Sequence, residues 1–160
     1  MRLGLKTLLD PVHFVALGFG SGLAPRAPGT FGTLLALLPA WWCFALPLPW
    51  RIGIVAAVIA LGVWVCGESA RRLGVHDHGA IVYDEIAGLM LTALALPENT
   101  FLWLALAFVL FRIFDIWKPW PIREVDHRLA GGVGIMLDDL MAAVYAAVCL
   151  LGLRAFLPTT

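Results

Sequence analysis

Apolar residues are grouped along the chain into five runs separated by short polar or proline-containing segments. The runs cover residues 29–46, 52–67, 81–96, 101–117 and 135–153. Pro47 and Pro49 end the first run, and the segment "PENT" at residues 97–100 is typical of a tight turn between two helices. The pattern predicts about five apolar helices, several of them short for a membrane span.

The composition places these helices in a membrane. Hydrophobic residues make up 61% of the 160 residues, charged residues make up 14%, and the mean hydropathy is +0.90. Soluble domains are roughly half apolar. We therefore predict an all-α, polytopic integral membrane bundle of about five spans, folded as a single domain over residues 1–160. The formal net charge is zero and no dense basic run is present, which gives no support for nucleic-acid binding.

The basic residues are distributed unevenly between the two sets of loops. If the N-terminus is cytoplasmic, Arg51 and Arg154 lie outside. The residues then placed in cytoplasmic loops or at the inner ends of spans are Arg2, Lys6, Arg26, Arg71, Arg72, Arg112, Lys118, Arg123 and Arg128. Because cytoplasmic loops of membrane proteins are rich in Lys and Arg, we predict this orientation.

The same orientation brings five acidic residues to the cytoplasmic face. Asp84 and Glu85 lie near the start of the third run, Asp115 near the end of the fourth, and Asp138 and Asp139 at the start of the fifth. Converging carboxylates repel one another unless cations hold them. Mg²⁺ prefers oxygen ligands and is usually shared with a substrate phosphate, so we predict a Mg²⁺ site. The alternative is that these acids only cap helices and complement their dipoles.

A further candidate Mg²⁺ ligand, or a residue supporting one, is Asp77 in the segment "VHDHGAIVYDE". His76 and His78 flank it and form a His-x-His pair that can bind a transition metal. No Cys and no further helical His spacing accompanies the pair, so zinc is disfavoured.

The segment "GFGSGLAPRAPGTFGT" at residues 18–33 is a candidate phosphate-binding loop. Glycines let backbone amides approach a ligand, and the free N–H groups at the start of the first span form an anion site that Thr30 or Thr33 could cap. The alternative is a small-residue packing loop, since the Walker ending is absent. The candidate substrate-binding residues of the loop are Ser21, Gly22, Pro28, Gly29, Thr30 and Thr33.

The segment "FRIFDIWKPWPIREVD" adds two cations at the same face. Pro119 is expected to end the helix after Lys118, and Arg112 lies one helical turn before Asp115. Arg112 or Lys118 could bind a phosphate oxygen. The alternative is ordinary snorkelling of basic side chains beside interfacial tryptophans.

Four segments together resemble successive blocks of one known family. They are "GSGLAPRAPGTFGT", "VHDHGAIVYDEIAG", "FRIFDIWKPWPI" and "GGVGIMLDD". In this order and spacing they resemble the phosphatidylglycerophosphatase A family over about residues 18–143. The resemblance implies a bacterial inner-membrane enzyme that hydrolyses phosphatidylglycerophosphate to phosphatidylglycerol and phosphate and requires Mg²⁺. Carried over by position, the family's motifs fall on Asp77, Asp84, Glu85, Asp115, Lys118, Pro119, Asp138 and Asp139.

Our mechanistic hypothesis is that the acids hold one or two Mg²⁺ ions facing the cytoplasm while the cations bind phosphate oxygens. The expected catalytic residues are Asp84, Glu85, Asp115, Lys118, Asp138 and Asp139. Either a metal-activated water or an aspartate could be the nucleophile. The sequence leaves two alternatives, an intramembrane phosphatidyl transferase and a cation carrier, and it leaves the oligomeric state open.

Overall fold

The computed structural model describes residues 3–124 and 131–156, which form a bundle of helices with no strand in these ranges. Short 3₁₀ segments lie at Leu5–Leu9, Gly18–Leu23 and Ala93–Ala95. The main α-helices are Pro11–Ala16 (α1), Pro28–Phe44 (α2), Leu48–Leu73 (α3), Tyr83–Thr92 (α4), Phe101–Trp117 (α5) and Gly131–Arg154 (α6). The predicted all-α class is confirmed.

The bounds of the helices depend on local features such as ion pairs and a C-terminal glycine, as well as on the extent of the apolar runs. α5 coincides with its predicted run at both ends. α3 continues beyond its apolar run because Glu68 forms ion pairs with Arg71 and Arg72 at helical spacing. It ends where Gly74 adopts a left-handed conformation with φ 69°. α4 is shorter than its predicted run and continues only as a 3₁₀ turn.

Two helices in the described part of the chain, α3 and α6, are long and apolar enough to cross a membrane. α2 and α5 have 17 residues each, which is the lower limit for a span. α4 has 10 residues and rises about 15 Å, roughly half the thickness of the hydrocarbon layer. The number of helices that cross the membrane therefore stays a prediction.

Backbone contact between glycines closes the packing of α6 on α3. A Cβ atom at Gly132 would collide with the carbonyl of Val63, and one at Gly67 would lie 2.8 Å from the backbone nitrogen of Gly132. One turn further along, Gly62 makes room for the side chain of Met136. We call this contact the α3–α6 seam, and it fixes the position of α6 along α3.

The N-terminal segment is attached to the C-terminal end of α3. Asp10 caps α1 by accepting a hydrogen bond from the Val12 amide (2.8 Å) and accepts another from Arg72 (2.6 Å). The Arg72 hydrogen bond lowers the pKa of Asp10. Behind this surface pair, His13 Nδ1 lies 2.8 Å from the hydroxyl of the fully buried Ser69. These contacts hold the segment that leads into residues 18–33, which we call the Gly/Pro-rich loop.

Candidate active site

Three carboxylates from two helices meet near one end of the bundle. Asp84 and Glu85 occupy the first turn of α4, and Asp139 comes from α6. One ligand oxygen from each residue lies within 4.8 Å of the other two. Asp84 is 9% exposed and Asp139 is 3% exposed. We call these three residues the acidic cluster.

Different local causes place the members of the acidic cluster. Acids in the first turn of a helix complement its dipole, and the Glu85 amide donates a hydrogen bond to Asp84 Oδ1 (3.1 Å). The N-cap of α4 is Val82 and makes no side-chain cap, so only the dipole part of the alternative interpretation applies to the α4 pair. It does not account for Asp139, which lies about two turns inside α6. Asp139 is instead positioned by the packing of α6 against its neighbours.

The acidic cluster contains polar atoms whose hydrogen-bonding capacity is unused. Glu85 Oε2 and Asp139 Oδ2 are buried and have no hydrogen-bond partner among the residues that the structure describes. Buried carboxylate oxygens are costly unless a hydrogen bond or a cation compensates them. A set of carboxylate oxygens is the chemistry that Mg²⁺ prefers, whereas zinc and copper favour nitrogen and sulfur ligands. The residues present therefore fit a hard divalent cation.

Arg112 connects the acidic cluster to α2 and α5. Its Nη1 lies 2.5 Å from Asp115 Oδ2, 3.8 Å from Glu85 Oε1 and 3.5 Å from the hydroxyl of Thr33. The ion pairs hold Arg112 within the bundle, with 15% of its side chain exposed. Its guanidinium therefore offsets the charge of two acids and orients Glu85.

Lys118 and Asp138 form a second ion pair beside the cluster. Lys118 follows the last residue of α5 in a left-handed conformation with φ 44°, and Pro119 prevents the helix from continuing. The Lys118 ammonium lies 2.6 Å from Asp138 Oδ2. Asp138 precedes Asp139 on α6, so the pair brings a cation next to the acidic cluster.

The remaining predicted metal ligands lie outside the acidic cluster. Asp115 and Asp138 are at its edge, each paired with a cation. Asp77 is exposed in the segment between α3 and α4 and does not belong to the group of three. The assignment of these three acids as Mg²⁺ ligands stays a prediction.

The Gly/Pro-rich loop packs closely against the start of α4. A Cβ atom at Gly22 would collide with the carbonyl of Ala80, and one at Gly29 would collide with Glu85 Oε1. The Ser21 hydroxyl donates to the Gly18 carbonyl (2.8 Å). The packing interpretation is therefore correct for Gly22 and Gly29. Because the loop also lies next to Glu85, phosphate binding by its backbone amides stays a prediction.

The start of α2 differs from the prediction that Thr30 or Thr33 caps it. The N-cap is Ala27, which has a left-handed φ of 49° and makes no side-chain cap. Thr33 lies within the helix, where its hydroxyl donates to the Gly29 carbonyl (2.8 Å). The capping prediction is wrong because Pro28, without an N–H group, occupies the first helical position and starts the helix earlier.

A cavity of about 470 Å³ lies between the Gly/Pro-rich loop and residues 78–80. Its walls include Gly22, Pro28 and Ala80, so it adjoins the residues that pack beside Glu85. Two segments that the sequence marked separately thus form one recess at the acid-bearing end of the bundle.

Gly132 and Met136 were not predicted to have a role, although their packing on α3 fixes the position of α6 and hence of Asp139. The segment "GGVG" carries a visible signal, since small residues permit close approach of helices. What the sequence lacks is the partner: nothing in it pairs Gly132 with Val63 rather than with a residue of another helix.

Comparison with known proteins identifies close relatives across most of the chain. The family model described as phosphatidylglycerophosphatase A matches residues 14–154. A phosphatidylglycerophosphatase A of Escherichia coli (strain K12) is 49% identical over 140 residues, covering 86% of this chain and 80% of the relative. One of Haemophilus influenzae is 42% identical over 150 residues, covering 92% of this chain and 91% of the relative.

A third relative carries a different name. A putative phosphatidylinositol-3-phosphatase of Bacteroides thetaiotaomicron is 39% identical over 142 residues, covering 84% of this chain and 87% of the relative. No solved structure matches the chain significantly. All three names describe proteins that act on the phosphate of a phospholipid.

Proposed function

The chain belongs to the phosphatidylglycerophosphatase A family, and we propose that it hydrolyses phosphatidylglycerophosphate to phosphatidylglycerol and inorganic phosphate. The reaction forms a bond between a water oxygen and phosphorus. It breaks the bond between phosphorus and the terminal glycerol oxygen, which leaves with a proton. The chain is thus a phosphatase of phospholipid biosynthesis.

The observation that carries this proposal is the acidic cluster. Asp84, Glu85 and Asp139 would hold one or two Mg²⁺ ions, because their oxygens converge within 4.8 Å and two buried oxygens have no hydrogen-bond partner within residues 3–124 and 131–156. Bound Mg²⁺ supplies charge stabilisation for a phosphoryl group and lowers the pKa of a water ligand. We include Asp115 and Asp138 as further candidate ligands at the edge of the cluster.

The two cations at the site have different proposed roles. Lys118 would bind the non-bridging phosphate oxygens, since its ammonium sits beside Asp138 at the end of α5. Arg112 would hold Glu85 and Asp115 in the correct orientation, because both carboxylates contact its guanidinium. Backbone amides of the Gly/Pro-rich loop would complete the phosphate site.

We propose that the chain is embedded in the bacterial inner membrane with about five spans and the acid-bearing end facing the cytoplasm. Exposed tryptophans support this placement because they occur at both ends of the bundle. Trp117 and Trp120 lie at the acid-bearing end, while Trp42 and Trp50 lie at the opposite end. Tryptophans are enriched at both membrane interfaces. α4 is largely enclosed by the other helices, so its short length is compatible with a position inside the bundle.

The test is release of inorganic phosphate by the purified protein from phosphatidylglycerophosphate, with Mg²⁺ or with a chelator, and with no acceptor alcohol. We expect phosphate release that requires Mg²⁺. We expect Glu85→Gln to lose it, and we expect the matched variant Glu98→Gln, at the opposite end of the bundle, to keep it. Absence of phosphate release by the unaltered protein would refute the proposed reaction.

The same assay separates the competing functions. A phosphatidyl transferase would release no phosphate without an acceptor alcohol, and a cation carrier would release none under any condition. Equal rates with Mg²⁺ and with chelator would leave the phosphatase assignment intact and refute the proposed requirement for Mg²⁺. A parallel reaction with phosphatidylinositol 3-phosphate would show whether the headgroup named for the Bacteroides relative is also accepted.

A further inference from the structure

An apolar groove lies between α2 and α5 on the outer surface of the bundle. Its volume is about 530 Å³ and every residue that lines it is hydrophobic. Several of these side chains are substantially exposed, with Leu38 at 63% and Val109 at 49%. The residues that define its length are Leu34, Leu38 and Trp41 on α2 and Phe101, Ala105 and Val109 on α5.

The groove begins where the polar contacts of the candidate active site end. The Thr33 hydroxyl and Arg112 Nη1 join α2 to α5 at a distance of 3.5 Å. Leu34 directly follows Thr33, and Val109 lies one helical turn before Arg112. From Val109 to Phe101 the groove extends about 12 Å along α5, at about 1.5 Å per residue.

We propose that this groove binds one acyl chain of the phospholipid substrate while the phosphate-bearing headgroup lies at the acid-bearing end. The inference rests on the proposed function and adds how the lipid is recognised. The occupant follows from polarity: an amphiphile with charge at one end and hydrocarbon along its length matches a groove that is apolar throughout and joins Arg112 at one end.

A second groove offers a contrast on the same molecule. It has a volume of about 250 Å³ and is lined by residues including Leu91, Leu137, Met141 and Val144. It is less than half as large, and none of its lining residues adjoins Arg112 in sequence. Its residues Leu137 and Leu140 flank Asp138 and Asp139, so both grooves begin at the acid-bearing end. The α2–α5 groove differs in its larger apolar volume and in its junction with Arg112.

The test compares substrates that differ only in acyl length. Ala105→Trp places a large side chain halfway along the groove, so a long chain cannot pass and a short chain still fits in the remaining half. We expect at least a roughly 10-fold higher KM for dioleoyl phosphatidylglycerophosphate and little change for the dihexanoyl form. The matched control is Ala147→Trp on α6, which is also partly buried and lines neither groove; it should change neither KM.

Each other outcome overturns the proposal in a recognisable way. Unchanged KM for both substrates would show that the chain binds elsewhere, and equal impairment of both would indicate damage to the site itself. Dissociation of a dimer by Ala105→Trp, seen by size-exclusion chromatography with light scattering, would show that a second copy occupies the groove. Hydrolysis of the dihexanoyl substrate by the unaltered protein tests the proposed function separately.

Discussion

Two pairs of helices in this bundle are packed in opposite ways. α3 and α6 meet backbone to backbone along the α3–α6 seam, where Gly132 faces Val63 and Gly67. α2 and α5 leave an apolar groove of about 530 Å³ between them and are joined by the weak contact between Thr33 and Arg112. One pair is closed and the other is open, although both are built from apolar helices.

The difference corresponds to what each pair contributes to the site. α6 carries Asp139, which we propose as a Mg²⁺ ligand, and such a ligand must be held at a fixed distance from the other ligands. A seam between backbones cannot slide without a collision, so it fixes that distance. The α2–α5 pair faces the flexible part of a lipid, for which an open, deformable surface is sufficient.

We expect the largest effect from replacing Asp139, which the closed α3–α6 pair positions. Asp139→Asn keeps the shape of the side chain and removes its charge. We expect phosphate release to fall by more than about 100-fold, beyond the 10- to 100-fold losses typical of residues that only support a metal ligand.

A stability measurement distinguishes this role from a structural one. Mg²⁺ should raise the thermal unfolding midpoint of the unaltered protein, because it binds the folded state, and should not raise that of Asp139→Asn. In the absence of Mg²⁺ the variant should be at least as stable as the unaltered protein, since one of the repelling charges is gone. Near-normal activity, or an unaltered response to Mg²⁺, would contradict the assignment.

The second largest effect is expected at Arg112, which joins α5 to α2 through Thr33. Arg112→Met removes the cation that Asp115 and Glu85 share, and we expect a 10- to 100-fold loss of activity as the carboxylates reorient. Arg112→Lys should restore part of the loss, because the ammonium keeps the charge but its shorter side chain does not reach the position of Nη1, which contacts both acids. The apparent Mg²⁺ affinity, measured from activity against Mg²⁺ concentration, should be highest for the unaltered protein, lower for Arg112→Lys and lowest for Arg112→Met. Loss of activity with unchanged Mg²⁺ affinity would indicate direct phosphate binding instead.

The meeting of the acids was predictable because it depends on topology rather than on contacts. In a helical bundle with short connections, alternate helix ends lie on the same side, so the start of α4, the end of α5 and the start of α6 must be neighbours. The bounds of α5 were predictable for a local reason: Thr100 caps its first turn and Pro119 follows its end.

The partners within the site were not predictable, because they depend on how helices rotate against one another. Arg112 could have faced the bilayer surface or a phosphate, and only the packing of α2 on α5 brings Thr33 to its guanidinium. Asp77 has the same chemistry as Asp84, yet the segment before α4 leaves it exposed. Residue type and spacing cannot distinguish these cases.

A third test breaks the closed pair. Gly132→Ala adds one methyl group where the neighbouring atoms are the backbone of Val63 and Gly67, which cannot move unless the helices separate. We expect the free energy of unfolding to fall by about 1–3 kcal/mol, with a parallel loss of activity. Gly152→Ala is the matched control on the same helix, since no atom of the described part of the chain lies within 4 Å of its added Cβ. Equal stability of the two variants in denaturant titrations would show that the seam is not closed as described.

The smallest effect sharpens the comparison, because the chain contains a matched pair of threonines. Thr33 and Thr92 are both fully buried, and each donates its hydroxyl to the carbonyl four residues earlier, that of Gly29 (2.8 Å) or Gly88 (3.0 Å). Each also has one contact of 3.5 Å to another helix: Thr33 with Arg112 at the site, and Thr92 with the Ala143 carbonyl away from it.

Replacing either threonine by valine removes the same hydrogen bond and keeps the shape, so both variants should lose about 0.5–1.5 kcal/mol of unfolding free energy. Only Thr33→Val should also lower activity, by a few-fold, because the open pair would lose its contact with the guanidinium that orients Glu85. The measurement is kcat and KM of the two variants beside their thermal midpoints. Equal activities at equal stability would mean that Thr33 contributes only to the helix, and that Arg112 is held by its two carboxylates alone.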